Sequence, residues 1–138
     1  MDKKPILCLD FDGVCHSYVS GWQGATNIPD DAVPGLFEFL EQAHPHFDIQ
    51  VFSSRSHQPG GVEAMTMWFY EQRKKWRENG GGEGFKKNVT VSFPDNKPPA
   101  HVYIDDRAIT FVGTWPDIDV PRNFKPWNKK PAASGQGE

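Results

Sequence analysis

The segment Asp10-Phe11-Asp12-Gly13-Val14 places two carboxylates two residues apart. In extended backbone, residues i and i+2 point to the same side, so Asp10 and Asp12 would share one face. Two close carboxylates repel each other and need a cation, a shared proton, or both. Gly13 allows a sharp turn where a side chain would crowd a ligand. A second acidic pair, Asp105-Asp106, follows an apolar run much later in the chain. Joined to the first pair, it would line a pocket with oxygen ligands suited to a hard cation such as Mg²⁺. A phosphate group fits such a pocket, because the cation links it to the carboxylates and offsets their repulsion. The His and Cys spacings match no zinc pattern.

These residues need elements to position them. Ile6-Leu7-Cys8-Leu9 is a short apolar run ending in acid, the pattern of a strand buried on both faces of a parallel sheet. Residues 13–29 read as a loop carrying Tyr18 and Trp22. A helix should follow, with Asp30 or Asp31 near its cap, Pro34 in its first turn, and a stripe of Leu36, Phe37, Phe39 and Leu40; Pro45 ends it. A second strand is expected from Asp48 to Phe52, closed by Ser53-Ser54-Arg55. A long helix from about Val62 to Glu78 would place Val62, Met65, Phe69, Gln72 and Trp76 on one face. Val89 to Ser92 and Val102 to Ile104 read as further strands, and residues 109–112 as a short additional one.

Strands alternating with helices imply right-handed βαβ crossovers and a mostly parallel α/β sheet in three layers. In such sheets the ligand crevice lies beyond the carboxyl ends of the strands. Three of those ends carry polar groups: Asp10 with Asp12, Ser53 with Ser54, and Asp105 with Asp106.

The chain has 138 residues, enough to bury about two-thirds of its unfolded surface in one domain. Residues 1–128 form the expected domain, and 129–138 a disordered tail with almost nothing to pack. A net charge of −3 disfavours nucleic-acid binding driven by the overall field. Two cysteines, Cys8 and Cys15, are too few for a disulfide framework and fit a reducing cytoplasm. No apolar run is long enough to span a membrane. The basic run Arg73-Lys74-Lys75-Trp76-Arg77 reads as a solvated helix face with Trp76 turned inward.

An apolar strand ending in DFDGV, a second ending in Ser, an upstream Lys, and an apolar strand ending in IDD together resemble the haloacid dehalogenase superfamily of phosphohydrolases. The four motifs stand in the family's order over residues 6–106. The resemblance implies a Rossmann-like three-layer fold and assigns roles. Asp10 would be the nucleophile that forms an aspartyl-phosphate. Asp12 would be the general acid and then the base, a role that calls for a pKa above the usual value of about 4. Ser53, or Ser54 beside it, would hydrogen-bond a phosphoryl oxygen. Lys97, or alternatively Lys86 or Lys87, would neutralise phosphoryl charge. Mg²⁺ would be held by Asp10, the backbone carbonyl of Asp12, and Asp105 or Asp106.

The gaps from Asp12 to Ser53 and from Ser53 to Lys97 are each only about 40 residues, with a helix in half of the first and most of the second, so neither holds a full cap domain. The expected protein is therefore a capless phosphatase. Its partner is a phosphorylated substrate, either a small molecule or a nucleic acid end, with no membrane and no stable protein partner. Ile104-Asp105-Asp106-Arg107 is also similar to the last motif of polynucleotide 3′-phosphatases. A non-catalytic binding module is the rival from another class. Arg55 and Arg107 directly follow motif residues and are candidates for substrate binding or for surface ion pairs. His16, His57 and His101 read as loop histidines without a role.

Overall fold

The computed structural model describes residues 3–81 and 89–129. The apolar runs form the strands β1 (Ile6–Leu9), β2 (Asp48–Val51), β3 (Val91–Ser92) and β4 (Val102–Ile104). They make one four-stranded sheet in the order β3-β2-β1-β4, with every pairing parallel. The helices α1 (Leu36–Ala43) and α2 (Gly61–Glu78) fill the two connections between β1, β2 and β3. A short helix α3 (Asp119–Arg122) follows β4. The chain is thus an α/β protein with an all-parallel sheet among its described residues. No helix there is long and apolar enough to cross a membrane.

The core lies between one face of the sheet and the two long helices. Leu7 and Leu9 of β1, with Ile49 and Val51 of β2, join Leu36, Phe37 and Leu40 of α1 and Met65 and Trp68 of α2 in one buried cluster. Period-2 alternation sends Leu7 and Leu9 to that face and Cys8 to the other. The helices meet through aromatic rings: Phe37 lies 6.4 Å from Phe69 and stacks on Trp76 at 5.4 Å. Trp76 also donates its indole N–H to Glu38. This inward turn leaves Lys75 free to pair with Asp31 at the surface.

Several expectations are corrected. Helix α1 begins at Leu36 behind Gly35, and neither Asp30 nor Asp31 caps it. Those carboxylates are engaged elsewhere: Asp30 accepts from Ser20, and Asp31 from Gln72 and Lys75. Phe39 is 40% exposed, because the buried positions 36, 37, 40 and 43 follow the helical repeat and 39 falls off their stripe. Trp68 takes the buried place three residues after Met65. Residues 109–112 form no strand, and Ile109, Phe111 and Val112 stay exposed, since the run meets no strand to pair with. Strand β3 is limited to Val91–Ser92, and β2 ends at Val51. The tail at residues 130–138 lies outside the described residues.

The packing predicts a clear contrast between two substitutions. Met65→Ala, at a fully buried position, should cost about 2–5 kcal/mol. Phe39→Ala should cost less than about 1 kcal/mol. Urea denaturation of both variants tests this, and similar losses would contradict the assigned helix face.

Candidate functional site

Register brings the polar residues together. Leu9 pairs with Val51 on one side and Ile104 on the other, so the three strands end in one row. The ladder continues one step further: Asp10 N–H donates to the Ile104 carbonyl at 3.0 Å, and Phe52 N–H to the Leu9 carbonyl at 3.1 Å. Asp10, Ser53 and Asp105 therefore leave the same edge of the sheet.

Asp10, Asp105 and Asp106 each offer a carboxylate oxygen within 4.8 Å of the other two. The Asp12 side chain is not in this group. Burial, then the Asp106 carboxyl and the Asp105 charge, push the Asp10 carboxyl up to about 8. Asp106 Oδ1 is buried and finds no hydrogen-bond partner among the described residues. Gly13, at φ 86°, holds the turn open here, since a Cβ on it would lie 2.2 Å from Asp106 Oδ2. The turn is secured from behind by Trp127, whose indole N–H donates to the Gly13 carbonyl at 2.7 Å. Crowded acidic oxygens, one of them orphaned, fit a hard divalent cation.

A cavity of about 170 Å³ adjoins these carboxylates, lined by Cys8, Asp10, Ser53, Ser54, Lys97, Tyr103 and Asp105 among others. Ser53 is buried and its Oγ accepts the Arg55 backbone N–H at 3.1 Å, so the hydroxyl proton remains available to a ligand. Ser54 is exposed at the rim. Lys97 rests its ammonium 4.6 Å above the Tyr103 ring. Lys86 and Lys87 lie outside the described residues. Arg107 is exposed, and its backbone N–H fixes Asp105 through Oδ1 at 2.8 Å.

Asp12 has a different environment from Asp10. Burial alone would raise its carboxyl, but hydrogen bonds from His16 and Arg55 and the Arg55 charge hold it below the ordinary range. The raised carboxyl expected at Asp12 is therefore found at Asp10. Arg55 is 0% exposed and forms no surface ion pair: it holds Asp12 from inside the protein. His16 is also 0% exposed and bonds Asp12 at 2.9 Å. Sequence reasoning missed both contacts. The four-residue step from Asp12 to His16 was the one local signal available. The Arg55 contact spans 43 residues and leaves none. Burial pushes the Cys15 thiol up, which leaves it protonated and unreactive.

No family model, curated protein or solved structure matches this chain.

The acidic group predicts a pH-dependent response to a cation. The folded chain binds the Asp10 proton more tightly than the unfolded chain. The stability this adds is fully present below about pH 3.8 and is lost as pH rises toward 8. A divalent cation held by this group would replace that proton. Mg²⁺ should therefore raise Tm by several degrees at pH 8 and by less than half as much at pH 5.5. Asp106→Asn should remove most of the effect. Equal shifts at both pH values would contradict cation binding by these carboxylates.

Proposed function

We propose that this chain is a metal-dependent phosphomonoester hydrolase acting through an aspartyl-phosphate on Asp10, with the capless three-layer fold implied by its resemblance to the haloacid dehalogenase superfamily. One observation carries this reading. Side chains from all four segments of the resemblance, namely Asp10, Ser53, Lys97 and Asp105, line one cavity at the carboxyl ends of the strands. Asp10, Asp105 and Asp106 would hold Mg²⁺, which supplies charge neutralisation for the phosphoryl oxygens.

In the first half-reaction an Asp10 oxygen attacks phosphorus, the ester P–O bond breaks, and the alcohol leaves as its anion, which solvent water protonates. In the second, water attacks the same phosphorus and gives up a proton. The bond to Asp10 breaks, phosphate departs, and the carboxylate is restored. The Ser53 hydroxyl donates to a phosphoryl oxygen, and the Lys97 ammonium offsets its charge. Asp12, kept in its charged form by Arg55 and His16, would take the proton of the attacking water in the second half-reaction, as a weaker base than a carboxylate in the ordinary range. Protonation of the leaving oxygen by Asp12 would need its acid form, which the Arg55 pairing opposes. Esters of acidic alcohols, such as aryl phosphates, are therefore the first substrates to try. Both cysteines are free and buried, in keeping with the reducing cytoplasm where we place the reaction.

A nucleic acid end is the second reading. It is favoured by the exposed edge strand β4 beside the cavity and by Trp22, 47% exposed on the loop packed against Arg55. The net charge of −3 leaves such binding to local contacts rather than to the overall field.

The test is phosphate release from an aryl phosphate, nucleotides and oligonucleotide 3′-phosphates, with Mg²⁺ and with chelator. Turnover should require the metal, and Asp10→Asn should lower kcat by about a thousandfold or more. The ranking across the panel chooses between small and polymeric substrates. Turnover that survives the substitution, or a folded chain inactive on every substrate, would overturn the reading.

A further inference from the structure

Arg55 and His16 form a buried network around the Asp12 carboxylate. The Arg55 guanidinium points its Nε at Asp12 Oδ2 at 2.9 Å and at Oδ1 at 3.2 Å, while a terminal nitrogen reaches Oδ1 at 3.1 Å. Its other terminal nitrogen donates to the carbonyls of Gly24 and Ala25, both at 2.9 Å, and of Asn27 at 3.4 Å. Trp22 covers the same guanidinium, with its ring centroid 4.7 Å away. His16 approaches Asp12 from the other side. Its Nε2 accepts the Asp30 backbone N–H at 3.1 Å, so in the neutral ring the proton sits on Nδ1 and is donated to Asp12 Oδ1 at 2.9 Å. Ring contacts with Phe11 at 5.6 Å and Trp68 at 5.8 Å fix the imidazole plane.

Every donor in this set meets either the Asp12 carboxylate or the backbone of the loop between β1 and α1. We propose that Arg55 and His16 are positioning residues for Asp12: from two sides they hold its carboxylate in one orientation, and they tie the backbone of Gly24, Ala25, Asn27 and Asp30 to it. The inference rests on the hydrolase reading. A planar fork is required at Arg55, because only two parallel N–H groups hold both carboxylate oxygens at once. At His16 the requirement is a donor at the Nδ1 position.

The substitutions Arg55→Lys, His16→Phe and His16→Asn separate this role from simple packing. Arg55→Lys keeps the charge and loses the fork. His16→Phe keeps the ring stacking and loses both polar contacts, whereas His16→Asn keeps a donor near the Nδ1 position. In the metal-dependent phosphatase assay, kcat should fall about tenfold or more in Arg55→Lys and His16→Phe with KM within about twofold. His16→Asn should recover most of the loss seen in His16→Phe. Comparison is made among variants with cooperative melts, and the two His16 substitutions decide the matter if Arg55→Lys does not fold. Wild-type turnover that Asp10→Asn abolishes, together with unchanged kcat in the folded variants, would overturn the clamp and leave the hydrolase reading standing. A wild-type chain without turnover would overturn the hydrolase reading and, with it, the catalytic purpose of the clamp.

Discussion

Acidic oxygens from Asp10, Asp105 and Asp106 converge within 4.8 Å, and burial together with these neighbours drives the Asp10 carboxyl toward its neutral form unless a counter-charge is present. Much of the surrounding structure follows from that constraint. The carboxylates come together because β1 and β4 are parallel and in register, so their C-terminal ends lie side by side. They can approach because the neighbouring backbone is glycine: any Cβ at position 13 would collide with Asp106. The one arginine buried nearby does not serve as the counter-charge, because its donors are committed to Asp12 and to the loop. Asp10 is left to take a proton or a cation.

The two carboxylates of the DFDG segment thus have opposite electrostatic fates although only one residue separates them. Asp10 faces other acids and is driven toward its neutral form, whereas Asp12 faces a cation and a histidine and is driven toward its charged form. Divergent environments for paired carboxylates are a common way to divide labour between them. Here the division comes from chain topology. Asp10 is the residue at the strand end, against β4, and Asp12 lies past the strand, against the turn that follows β2.

The half of the site carried by strand ends was legible in the sequence because buried parallel strands read as apolar runs. The polar residue that stops each run marks its C-terminal end. Ile6–Leu9 ending at Asp10 is of this kind, and Val102–Ile104 ending at Asp105 carries the same apolar pattern although, as an edge strand, it stays exposed. The half built on Arg55 and His16 was not legible. An arginine after two serines and a histidine in a glycine-bearing loop look like surface residues in any local window. Their burial follows from contacts across 43 and 14 residues. Phe39 and the 109–112 run failed for a related reason: both are apolar, but burial depends on whether a partner surface reaches them, and none does among the described residues.

The loop between β1 and α1 is held by polar contacts as well as by the packing of Phe11 and Cys15 in the core. Trp68 donates to the Asp30 carbonyl, Gln72 and Lys75 engage Asp31, Gln72 receives the Ala32 N–H, and Asn128 donates to the Ser17 carbonyl. Helix α2 and the C-terminal segment thus grip the loop from outside, while Arg55 grips it from within. A fully buried guanidinium is costly to desolvate, and its loss from a buried pair typically destabilises by about 3–5 kcal/mol, because a charge is left unpaired. A hydrophobic substitute of similar volume could restore stability there, but it could not orient Asp12 and three loop carbonyls together. The polar network is therefore better explained by geometry at the site than by stability of the fold.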